Sequence, residues 1–361
     1  MDKSLESKKC PRQKMSSKTE PMRISPHFTC DDWEDIAFSK EDEWQKAIDI
    51  FEDRIDGRFI KIIDKIEGYE FSGFAVLALD SLLIETLQQF REGVPKTPNG
   101  KSQDYFVSFL TETSFCKFFD QNKAEIFYKQ IRCGILHQAE IGGSSRVLIR
   151  QQVPLIRLAK DRNGLIINRK LFHKQLVKEF ENYVSQLRKT NPPDEKLRSN
   201  FKEKMDYICR VLYFAYGSNM DPKQIKERGA PFTKRKHAVL KGYILKFNKK
   251  ATGKKAKPGE GKGNVVPDSH TIVEGVLYDI TQSVLDRLDE KEGYPKHYDR
   301  KELYVYLDDG TKVKAWVHIA QSSMVEDGLK PTKEYLSHYL KGKDLLSPTY
   351  YQCLEKTETL D

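Results

Sequence analysis

Cysteine is sparse: Cys10, Cys30, Cys116, Cys133, Cys209 and Cys353 are all there are in 361 residues. No two stand as Cys-x-x-Cys, and no Cys/His cluster has zinc spacing. That excludes the common structural zinc motifs and a thioredoxin-like redox pair, and no metal or cofactor is expected. Unpaired thiols of this kind suit a reducing, cytoplasmic compartment. Long apolar runs are missing too. The chain is polar from Met1 to Pro26, and no stretch reaches signal-peptide or membrane length. The expectation is a soluble cytoplasmic protein with no membrane partner. Negative charge is in deficit, with 53 acidic against 62 basic residues and a net charge of +9. Such a surface favours anionic partners without naming one. The excess is local: Lys246, Lys249, Lys250, Lys254, Lys255, Lys257 and Lys262 face Glu260 alone in their stretch. Seven lysines with no interleaved aromatic are weak evidence for base recognition. A solvated loop over Lys249 to Gly263, rimming a pocket for acidic substrates or serving nucleic acid, is the reading.

What is present divides the chain. Residues 1–27 are rich in Lys, Ser and Pro and read as a disordered basic tail. Residues 28–190 read as mostly helical. Trp44, Ile48, Phe51, Ile55, Phe59 and Ile62 recur at steps of three and four, which buries one face of a helix over 41–66. Further helices are expected over 74–90, 103–110, 123–138 and 170–187. A small β insert comes at 146–151 and 155–167, with a turn at Arg162-Asn163-Gly164. Residues 191–208 follow Pro192-Pro193, carry much charge, and read as a linker. From 209 to 361 strands dominate. Val239–Phe247 and Ile272–Ile280 are strands, and 303–307 with 313–320 form a hairpin across Asp308-Asp309-Gly310. The C-terminal class is a small α+β domain built on a mixed sheet.

Tyr213-Phe214-Ala215-Tyr216-Gly217-Ser218-Asn219-Met220 carries the chemistry of this half. An apolar run passes straight into Gly-Ser-Asn, and Asp221-Pro222 then caps and opens a helix. A strand, a tight loop and a helix start together point several amides into one concavity, a seat for a carboxylate or oxyanion. Gly217 permits a loop geometry that a side chain would forbid. Downstream, Thr281 caps a helix that Gly293 ends, and it closes on Leu288-Asp289-Glu290-Lys291-Glu292-Gly293.

Tyr-Gly-Ser-Asn followed by Leu-Asp-x-x-Glu-Gly resembles the gamma-glutamylcyclotransferase-like family. Arg228-Gly229, Gly242-Tyr243, Phe247 to Lys250, Asn264 to Pro267, Gly275 to Tyr278 and Pro331 to Tyr335 fit it in order. The resemblance covers about residues 209–355. It implies a mixed β-barrel with few helices and an acyltransferase- or lyase-type activity. A gamma-glutamyl compound would lose its amine as its own α-amino group closes 5-oxoproline. Glu292 matches the acid/base carboxylate. Tyr216, Gly217, Ser218 and Asn219 match the substrate-binding loop, and Tyr298 and Tyr335 the pocket wall. Asp289 shares a helix face with Glu292.

The helix over 123–138 contains Arg132 and His137 in an Arg-x(4)-His pattern. With its helical setting, about residues 31–189, this resembles the HEPN superfamily. That resemblance implies a metal-independent ribonuclease or RNA-binding effector acting as a homodimer through the helical domain. The barrel would then be a small-molecule sensor. On one ideal helix the two side chains lie about 140° apart, so a site needs two motifs across an interface. Active members usually follow the Arg with a polar residue. Here Cys133 stands there, which argues against nuclease activity.

Overall fold

The structure is a computed structural model that describes residues 22–149, 153–232, 234–253 and 256–361. Two compact units divide these residues at 210/211.

The first unit is helical. Its helices are α1 (Cys30–Glu34), α2 (Glu41–Ile55), α3 (Lys61–Glu67), α4 (Gly73–Glu92), α5 (Ser102–Glu112), α6 (Gln121–Ile126), α7 (Cys133–Gln138), α8 (Arg169–Arg188) and α9 (Glu195–Cys209). A π-helical turn, Asp56–Ile60, joins α2 to α3, and another, Phe127–Arg132, joins α6 to α7. Both helices expected from periodicity are therefore continuous but carry a wider turn. β1 (Arg146–Leu148), β2 (Ile156–Leu158) and β3 (Leu165–Asn168) make a small sheet in the order β1-β3-β2. Aromatic rings fill the core. Phe51 lies 4.5 Å from Phe90 and 5.3 Å from Phe201, and Phe127 stacks on Phe172 at 5.0 Å.

Two expectations are corrected here. Within the supposed linker 191–208, residues from Glu195 onward belong to α9, which Asp194 caps through the Leu197 amide at 2.9 Å. Phe201 and Met205 of that helix are fully buried. The disordered tail does not reach residue 27. Ile24 is buried, and the His27 amide donates to Asp53 at 2.9 Å. Residues 1–21 of that tail lie outside the described residues.

The second unit is a closed barrel. Its strands are β4 (Arg210–Ala215), β5 (Lys234–Lys250), β6 (Gly261–Thr281), β7 (Tyr298–Tyr306) and β8 (Lys312–Ala320), in the order β4-β6-β5-β7-β8. β4 and β8 pair in parallel through Tyr213 and Trp316, which closes the ring. Helices α10 (Pro222–Glu227), α11 (Gln282–Glu292), α12 (Lys333–Leu340) and α13 (Pro348–Glu355) complete it. Alternation along the strands explains the packing. Phe214, Leu240, Val273, Leu277, Val305 and Val317 pack among the strands themselves. Ala215, Val276, Tyr278 and Ile280 pack with Leu285 and Leu288 of α11 and Leu336 and Tyr339 of α12. Those two helices bring their side chains to the end of β4, where the site forms.

The lysine-rich stretch is more ordered than expected. β5 runs on to Lys250 and β6 begins at Gly261, so only 251–260 connect them, with Lys254 and Lys255 outside the described residues. No helix among the described residues is long and apolar enough to cross a membrane.

Candidate active site

β4 delivers Tyr213, Tyr216 follows directly on its end, and the loop then forms a single 3-10 turn, Ser218–Met220. Asp221 caps α10 through the Lys223 amide at 2.9 Å, with Pro222 in the first turn. Thr281 caps α11, and Gly293 ends it in the left-handed conformation at φ 71°. These local signals, read from the sequence, place Glu292 in the last turn of α11.

A small inner cavity of about 30 Å³ lies between these elements, lined by Tyr213, Tyr216, Gly217, Ser218, Asn219, Gly263, Glu292, Tyr298, His318, Tyr335 and Tyr339. Glu292, Tyr216, Gly217, Ser218, Asn219, Tyr298 and Tyr335, to which the cyclotransferase resemblance gave site roles, are all among them, and Asp289 is not. Ser218, Glu292, Tyr298 and Tyr335 also line a wider outer cavity of about 420 Å³.

Glycine works here by close approach. Gly217 has φ −126°, which any residue adopts, but a Cβ there would stand 3.1 Å from the Tyr339 hydroxyl. The expected backbone freedom is not the reason for this glycine; the Tyr339 ring is. Gly263 is tighter, since a Cβ would fall 1.9 Å from the same oxygen. Its backbone serves the tyrosines as well. The Gly263 amide donates to the Tyr335 hydroxyl at 3.2 Å, and its carbonyl accepts from Tyr298 at 2.7 Å.

The polar groups form one connected set. Glu292 Oε1 accepts from Asn219 Nδ2 at 3.1 Å and from Arg228 Nη1 at 2.7 Å. Arg228 also donates to Asn219 Oδ1 at 2.7 Å, so the three side chains lock one another. Asn219 Nδ2 reaches the Tyr213 hydroxyl at 2.8 Å, and that hydroxyl lies 3.4 Å from His318 Nδ1. His318 Nε2 meets Asp289 Oδ1 at 2.8 Å, and Asp289 Oδ2 accepts from Arg300 at 2.6 Å. Asp289 thus turns from Glu292 toward His318 and Arg300. The nearest charge on Glu292 is the Arg228 guanidinium.

Burial pushes the phenols of Tyr213, Tyr216, Tyr298, Tyr335 and Tyr339 above the usual tyrosine range. All five stay neutral near pH 7, as hydrogen-bonding walls. Both His318 nitrogens face protein partners. Among the described residues, Glu292 is left as the carboxylate lining the inner cavity.

Arg228, Tyr213, His318 and Tyr339 were given no site role from the sequence. Arg228 closes the first helix of the motif, and Tyr213 begins the stretch that carries it, so both had a positional signal. His318 and Tyr339 had none, because only barrel closure and helix packing bring them in.

The base of α10 carries a separate charge cluster. Asp221 is 2.8 Å from His338 Nδ1 and 3.0 Å from Lys341 Nζ. Burial alone would push the Asp221 carboxyl up. Hydrogen bonds from His338, Lys341 and the Lys223 and Gln224 amides outweigh that and hold it at about 2. A carboxyl depressed from 3.8 contributes stability that is full above that value and is lost as pH falls toward 2. Denaturation midpoints of wild type and Asp221→Asn should therefore converge over that window. At pH 6 the variant should be less stable by roughly 2 kcal/mol. Equal midpoints at pH 6 would refute this linkage.

Arg132 and His137 are placed differently. Arg132 donates to Glu85 at 2.9 Å and to Ser102 at 3.2 Å, and its guanidinium lies 5.3 Å from the Tyr128 ring. His137 is exposed near the end of α7, and Cys133 follows Arg132 as a partly buried free thiol. The guanidinium is engaged in tying the π-helical turn before α7 to α4 and α5. Arg132→Ala should cost about 1–3 kcal/mol in urea denaturation, as Glu85 loses its cation. An unchanged urea midpoint would show that the pair holds nothing together.

No group of three or more His, Cys, Asp or Glu among the described residues could hold a metal ion.

Comparison with known proteins shows what the barrel unit is similar to. Residues 213–338 match the family described as gamma-glutamyl cyclotransferase, AIG2-like. This supports a C-terminal AIG2-like domain within those bounds; the helical unit lies outside the match. A protein of Methanocaldococcus jannaschii, provisionally named a gamma-glutamylcyclotransferase, is 35% identical over 63 residues, 17% of this chain and 51% of that protein. A Drosophila melanogaster protein with the same provisional name is 28% identical over 67 residues, 19% of this chain and 37% of that one. The chain therefore spans about half or less of the length of these curated relatives. A solved structure titled gamma-glutamyl cyclotransferase is 26% identical, covering 42% of this chain and 90% of that one, with a TM-score of 0.38.

Proposed function

We propose that the barrel unit is a gamma-glutamyl cyclotransferase that releases 5-oxoproline from gamma-glutamyl compounds. One observation carries this reading. The Glu292 carboxylate meets the Gly217–Asn219 loop, 3.1 Å from Asn219 Nδ2, at a small cavity walled by neutral tyrosines. The substrate's α-amino nitrogen, in its neutral form, attacks its own γ-carbonyl carbon, and a five-membered ring closes. Glu292 takes a proton from that nitrogen and gives one to the departing nitrogen as the γ C–N bond breaks. The products are 5-oxoproline and a free amine. Ring closure is intramolecular, so holding the folded conformer supplies much of the rate, and tight tyrosine walls suit that task. Backbone amides of the Gly217–Asn219 turn would steady the tetrahedral oxygen. Arg228 orients Glu292 through Oε1.

The test is release of 5-oxoproline from a panel of gamma-glutamyl peptides and amines, followed by mass spectrometry. Turnover of at least one supports the reading, and none on any of them overturns it. No catalytic role is proposed for the helical unit, where Arg132 has its own structural partners.

A further inference from the structure

The outer cavity holds a group that the reaction above does not use. Of the cations lining it, Arg228 pairs with Glu292 at 2.7 Å, Lys262 with Glu260 at 2.7 Å, and Lys257 with Asp361 at 3.0 Å. Lys291 is exposed. Lys249 differs from all of these. It is 4% exposed, lines the outer cavity, and forms no ion pair among the described residues. Its ammonium lies 5.4 Å from the centre of the Tyr298 ring, and Tyr298 lines both cavities.

Its burial is built into the backbone. β5 and β6 pair Lys246 with Asn264 and Lys249 with Lys262, so β5 carries one residue more than its partner between those pairs. Such a bulge breaks the in-out alternation and re-aims side chains. Asn248 and Lys249, neighbours in sequence, are both buried as a result. Val325 bridges the Lys249 backbone, and the Glu326 amide donates to the Asn248 carbonyl at 2.8 Å, which fixes the kink. A buried ammonium without a carboxylate is costly to keep, and burial pulls its pKa down while the charge of Glu292 works the other way. An anion that arrives with the ligand would relieve that cost.

In ring closure the α-amine and the γ-carbonyl approach each other beside Glu292, at the mouth of the inner cavity, whose volume of about 30 Å³ admits only the reacting end of the substrate. The leaving amine must then extend into the outer one, past Tyr298. We propose that Lys249 binds a carboxylate carried by the leaving amine, so that the preferred substrates are gamma-glutamyl peptides, whose leaving group is an amino acid or peptide. This deepens the cyclotransferase reading and rests on it. Gamma-glutamyl amines without a carboxylate would leave Lys249 unpaired and be poorer substrates.

The experiment compares gamma-glutamyl-alanine with gamma-glutamyl-alaninamide, which differ only in that carboxylate. Wild type should favour the acid in kcat/KM by about tenfold to a hundredfold, the worth of a charge-assisted hydrogen bond. Lys249→Met keeps the aliphatic stem and should abolish the preference, mainly by raising KM for the acid, with the amide little changed. Three results would overturn the proposal. Wild type could handle both compounds equally. The variant could keep the preference. Both substrates could suffer alike, which would mean that Lys249 acts on Glu292 or on the glutamyl carboxylate they share. If neither compound turns over, the wider panel above decides the cyclotransferase reading by itself. Calorimetric binding of the two compounds to wild type and Lys249→Met then decides the carboxylate subsite separately. Acid-selective binding that the variant loses supports it, and binding indifferent to the carboxylate refutes it.

Discussion

Replacing Glu292 by Gln should lower 5-oxoproline release by about a hundredfold or more while leaving the fold intact. The substitution is nearly isosteric. A glutamine Oε1 can still accept from Asn219 Nδ2 and from Arg228, the two donors that hold the carboxylate at 3.1 Å and 2.7 Å. Only the ability to take and return a proton is removed. The tyrosines around the cavity cannot substitute, because burial keeps their phenols protonated. His318 is held between Asp289 and Tyr213. The measurement is initial rate on whichever gamma-glutamyl compound wild type consumes, beside a thermal melt. Undiminished turnover with an unchanged melt would remove Glu292 from the chemistry and the proposed mechanism with it.

The second large effect is on stability. Asp289→Ala should destabilise the barrel unit by about 3–5 kcal/mol. The Asp289, Arg300 and His318 side chains are all less than a tenth exposed. Removing the carboxylate leaves the Arg300 guanidinium without its 2.6 Å acceptor and His318 Nε2 without its 2.8 Å partner, both away from water. Asp286, whose Oδ1 lies 3.5 Å from the guanidinium, and Trp316, whose ring lies 4.6 Å from it, replace only part of that pairing. For a unit of this size the melting midpoint should drop by about 10 °C or more. A shift within about 1 °C would mean that Asp286 or water satisfies Arg300 and refute the estimate. Asp289→Asn, which keeps one acceptor oxygen, should fall between the two.

The elements of the site were legible because each is announced locally. An apolar run ends in Gly-Ser-Asn, Asp221-Pro222 starts a helix, and Thr281 and Gly293 bracket another; caps and glycines act within a few residues of themselves. Asp289 was noticed for its place beside Glu292, yet its partners lie on β7 and β8. No helical spacing could announce them. Lys249 read as part of a solvated loop because its burial depends on a one-residue mismatch between two strands, which a single strand's sequence does not display. The helix α9 is a different failure. Leu197, Phe201 and Met205 stand four apart and are buried, so the periodicity was there. Charge density and the preceding Pro192-Pro193 outweighed it. Arg132 and His137 show the converse, a motif read from spacing whose arginine has ordinary partners on α4 and α5.

Closure of the barrel has a kinetic consequence. Its first strand, β4, is parallel to its last, β8, with Tyr213 opposite Trp316. That contact joins residues a hundred positions apart in the chain, so the ring cannot shut until β8 has left the ribosome. Until then β4 is an open edge, able to recruit a strand from another molecule. The helical unit has no such wait, since its helices form from neighbours in sequence. Refolding should accordingly show a fast gain of helical far-ultraviolet signal, followed by a slower change in the fluorescence of Trp316, half-buried on β8, read in a chain carrying Trp33→Phe and Trp44→Phe so that it alone reports. A single phase common to both probes would contradict this order. Chains shortened before β8 should aggregate rather than fold late.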